Sequence, residues 1–362
     1  NVETHGFLVT SAAGRVHDTG DDGNALGDFL LREDRFRLDI EGWSEDIDGE
    51  IKVKADLAHD ALSRDVSVDL REAYFDYSAG DFDFRLGRQV ITWGVGDLLF
   101  VSDVWPKDWV SFFAGRPMDY FKVGVEALRV RLWWDAVNVE VVVATPFQPD
   151  ALPDSARFAV ANPFAGIETR VDMPRDGYDN AEFGAKLSRK AFGVDFAAHA
   201  YRGFWSTPSA LPDGSNPPAS VTMFHPALSV YTLTAQTNAA GGVVSAEAGL
   251  YDSRDDADGA DPTAPNTQIR GLVGYERPLW EDARAGAQYY VEVMADYDAY
   301  EASLPAGYPA ESEVRDLVTV RLEQLARQQA LRLSLFAFYS PADSDYLVQP
   351  TAEYKLSDEL RV

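Results

Sequence analysis

Residues 82–121 read FDFRLGRQVITWGVGDLLFVSDVWPKDWVSFFAGRPMDYF, and this stretch decides the fold. In its first third, Phe82, Phe84 and Leu86 alternate with polar residues, so they share one face of an extended strand whose side chains repeat with period two. The remainder is a long aromatic insertion, after which a second strand pattern begins. The stretch predicts one wall of a membrane-spanning β-barrel and a segment that folds over or into its mouth.

Composition excludes several classes of protein. The chain has 362 residues, a formal net charge of −27 and no cysteine. Nucleic-acid binding is excluded because the neutralisation of phosphates needs clustered Lys and Arg. Disulfides and thiolate metal sites are excluded because the chain has no cysteine. No apolar run reaches the about 18 residues that a transmembrane helix needs. The 16 Tyr and 8 Trp suit the aromatic girdles of a barrel.

Alternating patterns predict sixteen strands in one antiparallel up-and-down barrel that occupies residues 1–362 as a single domain, with a long inserted loop at 95–121. Their predicted ranges are 3–14, 28–43, 50–59, 66–78, 82–93, 122–135, 138–147, 178–189, 193–205, 227–238, 242–252, 267–277, 283–298, 315–326, 329–340 and 346–356. Between Leu70 and Phe75, and again around Gly87–Arg88, the apolar residues change parity, which predicts two β-bulges. Because closed bacterial barrels carry an even number of strands, the final residues 360–362 predict eighteen strands in the complete chain, with sixteen as the alternative.

The connections alternate between tight turns and long polar loops. Turns such as Ser78–Asp81 lie at one end, and long connections such as Gln148–Gly177 and Ser206–Pro226 lie at the other. Short turns at one end and long loops at the other are typical of outer-membrane barrels. The alternative is a large soluble β-protein, which has no reason to maintain this asymmetry.

Charged residues alternate with apolar ones along the predicted strands. In a membrane barrel the apolar set meets lipid and the charged set lines a watery lumen. The predicted pore-lining residues are Arg35, Arg37, Asp39, Lys52, Lys54, Asp83, Arg85, Arg129, Arg131, Glu182, Lys186, Arg284, Glu292, Asp296, Arg321, Glu323 and Arg332. They form either a selective eyelet or a mutually neutralised wall.

The insertion is too apolar for a free extracellular loop. We expect it to narrow the pore, or to pack as a lip against other loops or a partner. The predicted constriction residues are Asp103, Trp105, Lys107, Asp108, Trp109, Phe112, Phe113 and Arg116.

Two loops are rich in aspartate, namely 18–28 and 252–261. Clustered carboxylates with glycine suit calcium, which prefers oxygen ligands. The candidate calcium ligands are Asp255, Asp256, Asp258 and Asp261. A solvated acidic loop that attracts cations by its long-range field is the alternative, since the spacing lacks the EF-hand ligand series. No other cofactor is predicted.

The segment from Leu86 to Gly94, LGRQVITWG, and the following DVWPKD at 103–108 resemble a motif of Gram-negative outer-membrane porin-like proteins. Their strand carries a GRQ-x3-WG pattern before an inserted loop, and the chain is loosely similar to alginate-export and related porin-like barrels. Trp105 stands where that loop usually has Asn. The resemblance implies a passive β-barrel channel in the bacterial outer membrane, without identifying its cargo.

These observations predict an outer-membrane channel for passive diffusion of small polar solutes or ions, in contact with lipid and lipopolysaccharide. One alternative is a structural barrel that sheathes a partner in its lumen, such as a cytochrome or an exported polymer. A second is an outer-membrane hydrolase. No GxSxG or HExxH motif occurs, so the sequence predicts no enzyme.

Overall fold

A computed structural model describes residues 1–14, 29–44, 48–155, 157–158, 160, 162–215, 217–305 and 307–362. All sixteen predicted strands are present, and the predicted antiparallel all-β fold class is confirmed. The strands are β1 Val2–Gly14, β2 Phe29–Ser44, β3 Gly49–Asp60, β4 Asp65–Ala79, β5 Phe82–Gln89, β6 Val125–Trp133, β7 Asn138–Ala144, β8 Glu168–Asp172, β9 Glu182–Ala191, β10 Val194–Phe204, β11 Ser209–Pro212, β12 Ser220–Phe224, β13 Ala227–Ala239, β14 Gly242–Ser253, β15 Gln268–Trp280, β16 Ala283–Met294, β17 Val314–Ala326, β18 Leu331–Ser340 and β19 Asp345–Tyr354.

The main sheet contains sixteen of these strands, each hydrogen-bonded to its neighbours in chain order. The other three, β8, β11 and β12, form a small sheet within the two connections predicted as loops, and β12 pairs with β8 in parallel. These strands are only four or five residues long, which is too short for an alternating pattern to reveal them.

Helical structure in the described ranges is short. It comprises α1 Trp109–Phe113, α2 Tyr297–Ser303 and the 3-10 helices Met118–Tyr120 and Tyr178–Asn180. None of the helices in the part of the chain that the structure describes is long and apolar enough to cross a membrane.

The chain divides into two compact units. Unit 1 comprises Asn1–Thr92, Trp105–Ala185 and Gly203–Pro226, and unit 2 comprises Trp93–Val104, Lys186–Arg202 and Ala227–Val362. The insertion belongs to the connection between β5 and β6, and this connection contributes to both units. Residues 93–104 lie in unit 2 and residues 105–124 lie in unit 1.

The second predicted bulge is wrong, because β5 pairs in unbroken register through Gly87 and Arg88. The bulge predicted between Leu70 and Phe75 lies in β4. Lys54 pairs with Glu72 and Ala55 pairs with Leu70, so Arg71 is the extra residue. Arg71 is buried, with an exposed fraction of only 7%, and lies on the same face as Asp69 two residues earlier.

The strands of both units bury polar side chains and expose apolar ones. In β2 of unit 1, Arg37 is 3% exposed while its neighbour Phe36 is 45% exposed. In β13 of unit 2, Thr232 is 3% exposed while Leu233 is 63% exposed. This is the reverse of a water-soluble sheet, where the charged side chains would meet solvent. Such an apolar outer face requires a lipid environment.

A lysine in place of Leu233, near the middle of β13, tests this assignment. We expect Leu233→Lys to lower the free energy of unfolding in lipid bilayers by about 2–4 kcal/mol, because a charge would enter hydrocarbon. Urea titration followed by tryptophan fluorescence measures it. The matched control is Gln236→Lys, on the polar face of the same strand, with an expected change of about 0.5 kcal/mol or less. Equal effects of the two lysines would contradict a lipid-facing Leu233.

Candidate functional site

The insertion lies against the polar face of the strands in each unit. In unit 2, the carboxylate of Glu247 on β14 accepts hydrogen bonds from the backbone N–H groups of Val95 at 2.6 Å, Gly96 at 2.6 Å and Ser102 at 2.9 Å. Gly94 adopts φ +81°, and a Cβ atom there would lie 2.9 Å from a Glu247 oxygen. The Trp-Gly pair of the motif therefore permits the backbone to approach this carboxylate closely.

Asp97 adds an ion pair to the same attachment. Its Oδ2 lies 2.8 Å from Arg321 Nη1 on β17, and its N–H donates to Gln288 Oε1 on β16 at 3.1 Å. Burial raises the pKa of Asp97 above its ordinary value of 3.8, although the Arg321 guanidinium acts in the opposite direction.

An apolar contact completes the attachment in unit 2. Leu99 and Val101 pack against Leu272 and Tyr290 on the sheet. The Tyr251 hydroxyl donates to the carbonyl oxygen of Val101 at 2.9 Å. The 93–104 segment is thus held by its main chain, one ion pair and two apolar side chains.

In unit 1, Tyr120 lies among three arginines of the sheet. The guanidinium carbons of Arg35, Arg37 and Arg71 lie 5.0, 4.4 and 5.1 Å from its ring centroid. These are cation–π distances. Burial, reinforced by the Asp56 carboxylate, raises the pKa of Tyr120 to about 12, so the ring is an uncharged phenol at neutral pH.

Buried carboxylates balance these cations. Asp56, which is 1% exposed, accepts from Arg37 Nε at 2.7 Å and from Arg35 Nη1 at 3.2 Å. Glu33 accepts from Arg35 Nε at 2.9 Å and from Arg116 Nη2 at 2.7 Å. Arg116, predicted from sequence as a constriction residue, is therefore bound to the sheet.

Arg71 and Arg37 also hold the main chain and side chains of the 105–124 segment. Arg71 Nη2 donates to the carbonyl oxygens of Asp119 at 2.8 Å and Lys122 at 2.9 Å. Arg37 Nη1 donates to the Asp119 carboxylate. Alternation from Asp69 places Arg71 on the polar face, and the bulge allows Glu72 to lie on that face as well.

The aromatic side chains of the 105–124 segment pack on one another. The ring centroids of Trp109 and Phe121 are 5.0 Å apart, and those of Phe112 and Phe121 are 5.4 Å apart. Asp150 accepts from the Lys107 N–H at 2.7 Å and from Trp109 Nε1 at 3.2 Å. This cluster gives the segment its own small core.

The remaining predicted constriction residues differ in exposure. Asp103 and Trp105 are 6% and 2% exposed, whereas Phe113 is 47% exposed. Asp108 caps α1 by accepting from the Ser111 N–H at 2.8 Å.

The predicted pore-lining residues of unit 1 form a ladder of ion pairs. The pairs with side-chain atoms within 3.2 Å are Arg35–Glu33, Arg37–Asp56, Lys52–Glu41, Lys54–Glu72, Arg85–Asp76 and Arg129–Glu140. Asp83 instead accepts from Ser78 Oγ at 2.7 Å and from Trp133 Nε1 at 2.5 Å. Asp39 lies on β2 opposite Lys54, and Glu182 is 3% exposed in β9.

The same arrangement recurs in unit 2. The ion pairs there are Arg270–Glu292, Arg321–Asp97, Arg332–Glu323 and, at 3.6 Å, Arg284–Glu276. Lys186 lies on β9 with intermediate exposure. Asp296 lies beyond the end of β16, where it precedes α2 with φ +54°, so the strand stops before the predicted residue 298.

The aspartates of the loop after β14 bind backbone groups. Asp255 Oδ2 accepts from the Ala227 N–H at 2.7 Å, and Asp256 Oδ1 accepts from the Asp261 N–H at 3.0 Å. Burial raises the pKa of Asp256. Among the described residues, no group of three or more His, Cys, Asp or Glu side chains, Asp258 included, is arranged to hold a metal ion. Calcium binding stays a prediction, and the acidic loop 18–28 lies outside the described residues.

Sequence reasoning missed the groups that hold the insertion. Glu247, Tyr251 and Arg71 were not named as site residues, and Asp150 lies in a loop whose sequence has no distinctive pattern. The available signal was the Gly-Val-Gly run at 94–96, because glycine often marks a close approach of backbone to another group.

The sixteen-stranded antiparallel sheet is similar in fold to solved outer-membrane proteins. A loop-deletion mutant of OmpT, an outer membrane protein of Vibrio cholerae, is 12% identical, with 98% of each chain covered and a TM-score of 0.54. The in-vitro folded trimer form of the same protein is 11% identical, with 100% of this chain and 93% of that chain covered and a TM-score of 0.50. At these identities the likeness shows the fold, and the predicted fold class is confirmed.

The outer membrane channel DcaP of Acinetobacter baumannii is also similar, at 11% identity, with 98% of this chain and 96% of that chain covered and a TM-score of 0.49. No protein-family model matches the sequence, and no curated protein matches it either.

Replacement of Glu247 tests how the 93–104 segment is held. We expect Glu247→Gln to accelerate amide hydrogen exchange at Val95, Gly96 and Ser102 by about tenfold or more, because hydrogen bonds to a charged acceptor contribute about 1.5–3 kcal/mol. Mass-spectrometric exchange of the folded protein in detergent measures it. Glu276→Gln, on the exposed end of β15, is the control. Unchanged exchange in the 93–104 segment would show that Glu247 does not hold it.

Asp97 predicts a pH dependence of stability. Its raised pKa means that the folded chain holds this proton more tightly than the unfolded chain does. The stabilisation is therefore complete below the ordinary value of 3.8 and is lost as the pH rises through the folded value. We expect the difference in unfolding free energy between the wild type and Asp97→Asn to fall over that range, as measured by urea titrations at several pH values. A difference that rises with pH would show that the pairing with Arg321 dominates instead.

Proposed function

We propose that this protein is a bacterial outer-membrane channel through which small polar solutes or ions diffuse passively. The observation that carries the proposal is the inverted polarity of the strands, with charged side chains buried in ion pairs and large apolar side chains exposed. A lipid-facing outer surface and a hydrated polar face are what a diffusion channel requires. The fold shared with outer membrane proteins supports the setting.

We propose further that the insertion is the constriction of this channel. Its 93–104 segment is attached to Glu247 and Arg321, and its 105–124 segment is attached to Arg35, Arg37 and Arg71. An insertion seated on the polar face reduces the space through which a solute passes. The 105–124 segment also contacts the neighbouring loop through Asp150, as a lip would, whereas its contacts with Arg35, Arg37 and Arg71 are with the polar face of the strands.

The acidic surplus favours cations over anions. The net charge is −27, while the polar faces described above are largely neutralised by ion pairs. A negative field outside the ion-pair ladder raises the local concentration of cations. We therefore propose a cation preference that weakens as the salt concentration rises.

Planar-bilayer recording tests the channel. We expect steady open conductance in KCl, with a reversal potential in a salt gradient that indicates cation preference. A pathway that conducts only after a bound partner is removed would favour the sheath, and absence of conductance by correctly folded protein would refute the channel.

Tyr120→Ala tests the constriction. The substitution removes three cation–π contacts of about 0.5–2 kcal/mol each, so we expect the 105–124 segment to loosen and conductance and its noise to increase. Phe183→Ala, which removes an exposed ring from the apolar face of β9 and lies outside the segment, is the matched control and should leave conductance unchanged. Identical traces for the two variants would argue against constriction by this segment.

A further inference from the structure

A cavity of about 320 Å³ lies on the polar face of unit 1, beside the short turn that follows β4. Its lining includes Trp43, Asp48, Glu50, Asp76, Arg85 and Arg131. Trp43 lies six residues beyond Arg37 on β2, about 20 Å along an extended strand, so the cavity is separate from the contacts of Tyr120. The volume is at the lower end of the range for small-molecule sites.

The strand register separates charge across this cavity. Glu50 on β3 pairs with Asp76 on β4, Asp76 pairs with Arg85 on β5, and Arg85 pairs with Arg129 on β6. One row of the sheet therefore begins with two acids and ends with two arginines. Like charges directly opposite each other destabilise a sheet, so each half of the row requires counter-charges.

Arg129 and Arg131 share one close carboxylate at the basic end. Glu140 Oε2 accepts a hydrogen bond from Arg129 Nη2 at 2.6 Å and lies 3.6 Å from Arg131 Nε. One carboxylate is therefore the ion-pair partner of two guanidinium groups. Asp83, the cross-strand partner of Arg131, is already bound to Ser78 Oγ and Trp133 Nε1. Arg131, whose side chain is 28% exposed, is left with capacity for a further anionic group.

The acidic end has a surplus of carboxylates. Asp76 is neutralised by Arg85 at 2.6 Å. In the part of the chain that the structure describes, Asp48 and Glu50 make no ion pair. Trp43 lies directly opposite Glu50 in the β2–β3 register, and an indole beside carboxylates is a favourable surface for an ammonium group.

We propose that this cavity binds small zwitterions of the size of a dipeptide or tripeptide, with the carboxylate on Arg131 and the ammonium beside Asp48, Glu50 and Trp43. The inference rests on the proposed channel, for which it names a class of solute. Three strand spacings separate Glu50 from Arg129, about 14 Å between backbones, and the side chains shorten that span. An extended tripeptide reaches about 10 Å, which suits the distance that remains. A single amino acid is too short to reach both ends.

Three related peptides test the proposal: triglycine, N-acetyltriglycine without its ammonium, and triglycine amide without its carboxylate. Titration calorimetry with the folded protein in detergent should show that triglycine binds about tenfold or more tightly than either capped form, because each cap removes a charge-assisted contact. If N-acetyltriglycine binds as tightly as triglycine, the site recognises only the anion and the proposal is overturned. If triglycine amide binds as tightly as triglycine, the site recognises only the cation and the proposal is again overturned.

Two variants assign the ends of the peptide. In Arg131→Gln, triglycine and triglycine amide should bind alike, and in the double variant Asp48→Asn with Glu50→Gln, triglycine and N-acetyltriglycine should bind alike. Arg284→Gln is the matched control, since it removes an arginine that is also paired at 3.6 Å but lies outside the cavity. Loss of discrimination in the control, or its retention in both site variants, would overturn the assignment.

Potassium chloride conductance of the same preparations separates the two proposals. Normal conductance without triglycine binding refutes the zwitterion site and leaves the channel. Triglycine binding by a protein that conducts no ions refutes the channel and leaves a binding site on the polar face.

Discussion

The requirement that every buried charge on the polar face be neutralised governs the rest of this structure. Arg37 is 3% exposed and Asp56 is 1% exposed, and breaking such a pair leaves an uncompensated buried charge that costs about 3–5 kcal/mol. Cross-strand pairing supplies most of the partners, because the antiparallel register places opposite charges directly beside each other, as in Arg37 opposite Asp56 and Lys52 opposite Glu41. The apolar face needs no such specificity, since lipid accepts any aliphatic side chain. The polar face therefore needs particular charged residues at matched positions, whereas the apolar face needs only that its side chains be apolar.

The insertion satisfies the same requirement by two different means. Where the sheet of unit 2 presents a carboxylate without an arginine, at Glu247, the 93–104 segment supplies backbone N–H groups. In unit 1 the 105–124 segment supplies the Asp119 carboxylate, two carbonyl oxygens and the face of Tyr120 to the arginines of the sheet, and it supplies Arg116 to Glu33. Each segment thus completes the charge balance of the strands on which it lies. The attachment of the insertion is thus a consequence of which residues the sheet places on its polar face. Substitution of Glu247 or of the arginines of unit 1 would therefore alter the position of the insertion.

The strands could be predicted from sequence because period-two alternation reports directly which face a side chain occupies. The parity change around Leu70 similarly located the bulge at Arg71. What alternation cannot report is a contact between a side chain and a distant main chain. Glu247 was visible as an inward acid, but its partners are N–H groups about 150 residues earlier, which every residue except proline possesses. Alternation also continued through Asp296, whereas the chain leaves the sheet after Met294 and enters α2 with a left-handed residue. The short strand β8 pairs with β12, with Glu168 opposite Ser220, and no local pattern records a pairing over that separation.

The proposed cation preference and the proposed recognition of zwitterions differ in range. The surplus of carboxylates outside the ion-pair ladder acts through a long-range field, which is screened over about 8 Å at physiological ionic strength. The row from Glu50 to Arg129 acts by contact, because its unequal ends require opposite charges on one solute at a fixed separation. High salt therefore removes the general preference for cations while it reduces contact recognition much less, since partly buried charges are poorly screened. A wall neutral in total can still discriminate between solutes, because discrimination depends on where the two signs of charge are placed and not on their sum.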